Sequence, residues 1–278
     1  MQFASVFTDS MVLQQGIAVP VWGTARPGAI ITVRFAGQEA LGVTDTAGRW
    51  MARLAPLAAN ATPDILHARA STGEEISVAD VLVGEVWVCS GQSNMQWSLS
   101  NSNNAQTEML AAKHPAIRLF TVPNRPAKTP ETGVSGTAWR VCSTESAASF
   151  SAVGYFFGRE LQKKLNVPVG LINTSWGGTV AEAWTSREGL VGDPVTRELH
   201  EKFVRDLPKL LEKREAWLRE TKELNDRTTD TENRKFREGW ADRSEPKGAW
   251  GDMELPGTWQ SKGHNKSGIF WFRKTVEI

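Results

Sequence analysis

Cysteine is scarce. Cys89 and Cys142 are the only two in 278 residues, too few for a disulfide framework and without metal-ligand spacing. They read as small buried residues in preference to a disulfide, and the redox compartment stays open. Charge of one sign is lacking too. With 32 Lys and Arg against 31 Asp and Glu the net charge is +1, so there is no electrostatic footprint for nucleic acid. No apolar run is long enough to cross a bilayer, and the opening "MQFASVFTDSMVLQQG" has neither a basic start nor an apolar signal core. No nucleic-acid partner, no membrane partner and no export signal are therefore expected. Repeats and low-complexity tracts are absent as well. What remains, 40% hydrophobic and 23% charged residues, is a chain with enough apolar surface for real cores and enough length for more than one domain.

Three textures follow one another. Residues 1–80 alternate apolar and polar residues in short runs broken by turn residues ("AVPVWGTA", "AIITVRFAG", "GRWMARL", "ILHARAS"), which predicts a small antiparallel β-domain. Residues 81–196 predict strand and helix in alternation. "VLVGEVWVC" reads as a buried strand, "FSAVGYFFGRELQKKL" as an amphipathic helix ended before Pro168, and "VGLINTSW" as a second buried strand. Such alternation argues an α/β layer with a parallel sheet. Residues 197–238, dense in Glu, Lys and Arg, carry Phe203, Leu210, Trp217 and Leu224 at seven-residue intervals. That is an amphipathic helix with a solvated charged face, which Pro208 should kink or start. From residue 239 to 278 the texture is β again, and the chain is expected to stop inside that domain.

"GEVWVCSGQSNMQWSLS" at 84–100 runs from the first buried strand into Ser93. The carboxyl end of a parallel strand is where α/β sheets bind ligands, which suits a nucleophile. Ser93 with Gln96 also fits a Ser-x-x-Gln capping box that needs no catalytic explanation. The Gly-x-Ser-x-Gly elbow is absent, because Met95 stands at its second glycine. At the second strand end, "NTSWGGTVAEAW" puts Gly177 and Gly178 before a second apparent capping box, Thr179 with Glu182, opening a helix. Adjacent glycines before a helix start suit an oxyanion hole and equally suit a tight turn.

"GQSNM" at 91–95 and "INTSWGGTVAEAW" at 172–184 resemble the first two blocks of the SGNH hydrolases, in the version found in sialate O-acetylesterases. "FTDSMVLQQG", "SAVGYFFGREL", "MELPGTWQ" and "WFRKTVEI" resemble the same family. The resemblance implies an N-terminal β-domain and a flavodoxin-like hydrolase core, here incomplete and interrupted by a jelly-roll insertion. It also implies removal of O-acetyl groups from sugars without metal or cofactor, in a periplasmic or secreted setting. Ser93 is then the nucleophile, and the N–H groups of Ser93 and of Gly177 or Gly178 form the oxyanion hole. Gln92, Asn94, Trp97 and Trp176 belong to the substrate pocket. Acetylated xylan is an alternative substrate, and a non-catalytic carbohydrate-binding fragment an alternative function.

The family's third block and its Asp-x-His base segment are not found in this sequence, so the base is unassigned and the chain alone is expected to be inactive. "DILH" (Asp64 to His67) has a tempting spacing but precedes the serine and lies in the β-domain. His114, His200 and His264 read as solvated surface histidines, and "ELND" at 223–226 lies on the charged helix. Of the twelve Trp, Trp22, Trp50 and Trp87 read as core.

Overall fold

The computed structural model describes residues 1–125, 127, 131–134, 136–228, 251–254 and 260–263, with side chains of the last helix to residue 222. The chain divides into two compact units, Met1–Trp184 and Thr185–Ile278. The first unit opens with eight strands: β1 (Gln2–Phe3), β2 (Val12–Gln14), β3 (Val19–Thr24), β4 (Ile30–Phe35), β5 (Gln38–Val43), β6 (Arg49–Leu54), β7 (Asn60–Ala70) and β8 (Glu75–Cys89). It continues with the short helices α1 (Ser93–Gln96) and α2 (Ala105–Ala111), then β9 (His114–Thr121), β10 (Arg140–Cys142), α3 (Thr144–Ala148), α4 (Ala152–Leu165) and β11 (Val169–Asn173).

Alternation in the sequence becomes alternation across the sheets. Strand β6 buries Trp50, Ala52 and Leu54 and exposes the residues between them, and β4 buries Ile31, Val33 and Phe35, the two-residue period of a half-buried strand. β1, β3 and β6 form one antiparallel sheet, while β5, β4, β7 and β8 pair antiparallel in the other. The antiparallel β-structure expected from the first eighty residues forms around a core that includes Val21, Ile31, Val33, Leu54 and Leu66.

Strand β8 runs straight through the boundary expected after residue 80. Its last five residues pair in parallel with β11, from Glu85 opposite Val169 to Cys89 opposite Asn173, and β11 pairs in parallel with β9. The α/β class follows: a mixed sheet with helices. Parallel pairing runs β9, β11, β8 and then the short β2 beside β8, so β9 and β8 flank β11, whereas the flavodoxin-like arrangement places the first strand between the second and third. Helix α4 begins at Ala152, two residues into the stretch read as helical, because the Ser151 hydroxyl caps it by accepting from the Gly154 N–H, and it ends at Asn166 in the left-handed conformation. It sits close on β11 because a Cβ at Gly158 would collide with the Leu171 side chain. This second core gathers Leu99, Ile117, Phe150, Tyr155 and Leu171.

Two expectations about strand β8 need correction. Trp87 and Val88 are exposed, although the stretch reads as buried. Trp87 lies edge-on to Phe157 of α4, ring centroids 5.1 Å apart. Among the described residues β11 is the one strand paired with Val86–Cys89; on the other edge the Val86 N–H donates to Gln14 Oε1 at 2.7 Å, and no strand pairs with Trp87–Cys89 there. Trp50 is buried as expected, and Trp22 is half-buried against the same core.

In the second unit, α5 (Arg187–Gly192) precedes α6 (Pro194–Thr228). The long charged helix therefore starts at Pro194, with the Asp193 carboxylate accepting from the Val195 and Thr196 amides, and continues through Pro208 instead of beginning there. The "ELND" stretch lies on this helix. Most of 239–278, including the expected jelly-roll start, falls outside the described residues.

One ion pair ties the β-structure to the parallel layer. Arg118 of β9 is buried, donates to the Asp80 carboxylate through both terminal nitrogens, and also reaches the Ser10 and Pro115 carbonyls. Arg118's hydrogen bond, working against partial burial and helped by Ser10, holds the Asp80 carboxyl below its ordinary 3.8. Asp80→Ala strands a buried guanidinium. We expect a loss of roughly 3 kcal/mol, the low end for a broken buried pair because part of the carboxylate faces water, read from the denaturant midpoint. Because the folded pKa is depressed, this contribution is complete above about pH 4 and is lost as pH falls through the folded value. The variant's stability should therefore fall less steeply than wild type's in that acid window.

Candidate active site

The parallel register sets the ends of β8 and β11 level, so the chain leaves Cys89 and Asn173 side by side. Backbone bonds then sew the two outgoing loops together. Thr174 N–H donates to the Cys89 carbonyl at 3.0 Å and Trp176 N–H to the Gly91 carbonyl at 2.9 Å. The root of the second loop is folded by Asn173, whose buried Oδ1 accepts from both the Ser175 amide and the Ser175 hydroxyl.

Ser93 is the first residue of α1, exposed, so its N–H lies outside the intrahelical ladder. It is not a cap. The cap position belongs to Gln92, and no side chain there bonds the helix. Among the described residues the Ser93 hydroxyl makes one long bond, 3.4 Å, donated to Gln92 Oε1. The capping-box expectation is overturned on its other side as well: Gln96 reaches across to the second loop, where its Oε1 accepts from Gly177 N–H at 2.6 Å. The amide of a tight loop is the better-placed donor for it than the Ser93 backbone.

The two glycines separate clearly. A Cβ on Gly177 would stand 3.5 Å from both Ser93 Oγ and Ser93 Cα and would collide with Gln96 Oε1. Gly178 faces open space and takes φ +76°. The left-handed turn thus uses Gly178, and the close approach to the serine uses Gly177. Thr179 opens no helix with Glu182, since a four-residue 3-10 turn, Ala181–Trp184, follows instead. The Thr179 hydroxyl donates to the Trp176 carbonyl and accepts from the Trp184 indole, both at 2.7 Å. Asn94 is exposed on α1, and Trp97 is exposed with its indole N–H on the Asn101 carbonyl at 2.9 Å. Trp176 is half-buried in the second loop. Trp184, exposed and anchored by Thr179, was not anticipated; the Thr-x4-Trp spacing after the glycines is the signal that could have marked it.

No histidine among the described residues bonds Ser93. His114 is not in a surface loop but opens β9, half-buried, its Nε2 3.4 Å from the Tyr155 hydroxyl. Burial, with Arg159 nearby, pushes its pKa down against the pull of Glu108. It stands at the amino end of a strand whose Thr121 is level with Cys89, roughly 20 Å from the loops at ~3.3 Å per residue. His67 pairs with Ser77, well up β8, while Asp64 accepts from the Ala36 and Ile65 amides. His200 lies on α6 of the second unit, and His264 is outside the described residues. Both cysteines are free and buried, and burial raises both thiol pKa values, that of Cys142 to about 12. Among the described residues no group of three or more His, Cys, Asp or Glu is placed to hold a metal, and no helix is long and apolar enough to cross a membrane.

Residues 83–218, which include both loops, match the family model described as carbohydrate esterase, sialic acid-specific acetylesterase. The sialate O-acetylesterase of Rattus norvegicus is 33% identical over 216 residues, 71% of this chain and 40% of that protein. Its Homo sapiens counterpart is 36% identical over 208 residues, 68% and 39%. The crystal structure of a carbohydrate acetylesterase from Xanthomonas citri is similar with a TM-score of 0.65 at 36% identity, covering 70% of this chain and 44% of that one. The chain spans about two fifths of the length of the curated relatives it matches. With the family match running through the strand ends that carry Ser93 and Gly177 and the relatives at 33% and 36% identity, the chain belongs to the sialate O-acetylesterase family of carbohydrate esterases.

Proposed function

We propose that this chain supplies the nucleophile and part of the oxyanion hole of a serine esterase that removes O-acetyl groups from sugars, sialate esters first and acetylated xylan second. The observation that carries the reading is the approach of Gly177 to Ser93, with only 3.5 Å between the serine oxygen and the place a side chain would fill. Ser93 Oγ attacks the acetyl carbonyl as its proton passes to a base, and the developing oxyanion takes the N–H groups of Ser93 and Gly177. Collapse breaks the bond to the sugar oxygen, which takes that proton back from the base and leaves as a hydroxyl. Water then attacks the acetyl-serine, releasing acetate and restoring Ser93. No described residue is assigned as that base. Trp97, Trp176 and Trp184 offer indole faces for a sugar ring, with Gln92 and Asn94 as polar neighbours.

The same reading takes residues 91–95 and 172–184 as the first two blocks of an SGNH-type site. It sets the domain boundaries near 80, 196 and 238, with a jelly-roll insertion after the last.

In the active protein, Ser93→Ala should lower turnover of p-nitrophenyl acetate and of O-acetylated sialic acid by up to about 10⁶, the loss typical when a serine hydrolase loses its nucleophile. Labelling by a fluorophosphonate, mapped by peptide mass, should move from Ser93 to nothing. Labelling unchanged in the variant refutes the assignment.

The glycines give a second test. Gly177→Ala should cut turnover by about 10² to 10³ through a displaced oxyanion donor. Gly178→Ala, strained in the left-handed region by about 1 to 2 kcal/mol, should lower the melting temperature and leave more of the rate. Equal rates for the two would remove Gly177 from the mechanism.

A further inference from the structure

The donor assigned to the oxyanion is already occupied. Gln96 lies one helical turn after Ser93, and its side-chain oxygen holds the Gly177 N–H at 2.6 Å. That oxygen and Ser93 Oγ border the same vacancy, the missing side chain of Gly177. A carboxamide C=O aimed at this N–H has the polarity and direction of an ester C=O bound for attack. The Gln96 side chain is exposed, and its Nε2 has no partner among the described residues, so a single neutral hydrogen bond retains it.

Resting on the reading of Ser93 as nucleophile, we infer that Gln96 is a positioning residue that stands in for the substrate carbonyl: it keeps the Gly177 N–H aimed while the site is empty and must swing out before an acyl group can use that donor. A buried or loop N–H left unpaired tends to turn toward another acceptor, so the stand-in preserves the loop geometry. It also competes with every ligand of the hole. The competition is mild because one neutral hydrogen bond is worth a factor of several in equilibrium, which leaves the site closed at rest and easily opened by a ligand that also bonds Ser93.

A purely structural staple and a competing stand-in predict opposite orders. Gln96→Met removes the acceptor at similar length, and Gln96→Glu keeps the acceptor and gives it charge, which strengthens the bond to Gly177. Phenylboronic acid, whose boron bonds the Ser93 oxygen as the hydroxyl proton passes to the base and which becomes a tetrahedral anion with one oxygen in the hole, serves as the ligand for the active protein. Binding is followed by NMR of the selectively labelled Gly177 amide. We expect the free Gly177 proton to move upfield in Gln96→Met and downfield in Gln96→Glu. Affinity for the boronate should rise about fivefold in the first and fall about tenfold in the second. A staple would make the Met variant bind more weakly than wild type, and that result overturns the inference, as does failure of the Met variant to bind; the Glu variant, whose charge also repels the boronate anion, is judged by its Gly177 amide shift, and an unmoved shift counts against the inference. Ser93→Ala is the separate control: boronate binding that survives it refutes the nucleophile, whereas binding that depends on Ser93 with the staple order refutes only the role of Gln96.

Discussion

The candidate site depends on the parallel register between β8 and β11. Pairing Cys89 with Asn173 brings two loops, about eighty residues apart in sequence, off the sheet at the same height, and three further hydrogen bonds then close the gap between them. Nothing local in either loop could do this. The register is held in turn by Gly84, where any Cβ would run into the backbone at Pro168 just before β11 begins, and by the Glu85 N–H bonded to the Pro168 carbonyl at 2.9 Å. A slip of one residue would move the second loop by ~3.3 Å and turn the buried Asn173 to the opposite face.

Strand β8 is also why the antiparallel β-structure matters to the site. Its first half is a member of the β-sheet and its second half a member of the parallel layer, so the two share one backbone without a linker. Side chains reinforce the join. The Trp139 indole donates to the Val6 carbonyl at 2.8 Å, and Arg118 grips Asp80 and Ser10. Ser93 thus stands at the end of a beam anchored at its far end, the arrangement that gives a reactive group a rigid support.

Much of this was legible in the sequence because it follows from short-range physics. Alternating residues such as Trp50, Ala52 and Leu54 announce a half-buried strand, and the apolar spacing of the stretch from Phe150 announces α4. The glycine pair marked the second loop. What escaped depended on distant neighbours. Gln96 has the spacing of a local cap, and only the folded chain brings it the Gly177 amide. Trp87 and Val88 sit in an apolar run that periodicity reads as buried, yet burial depends on which strands pair alongside. His114 precedes a proline and reads as loop, but β11 recruits the following residues into β9, and Tyr155 comes to rest against its ring. The division of labour between Gly177 and Gly178 is likewise a matter of φ and of what lies opposite, neither of which the two letters carry.

Cys89 occupies the last position of β8, its sulfur facing Gly154 of α4 and its thiol pKa raised by burial. A thiol reacts as its thiolate and only where a reagent can touch it. At this position both conditions wait on the same event, the lifting of α4 from the strand end that leads to the serine. The sulfur is therefore a clock built into the root of the site: the slow rate at which an alkylating agent reaches it counts how often the platform under Ser93 comes apart.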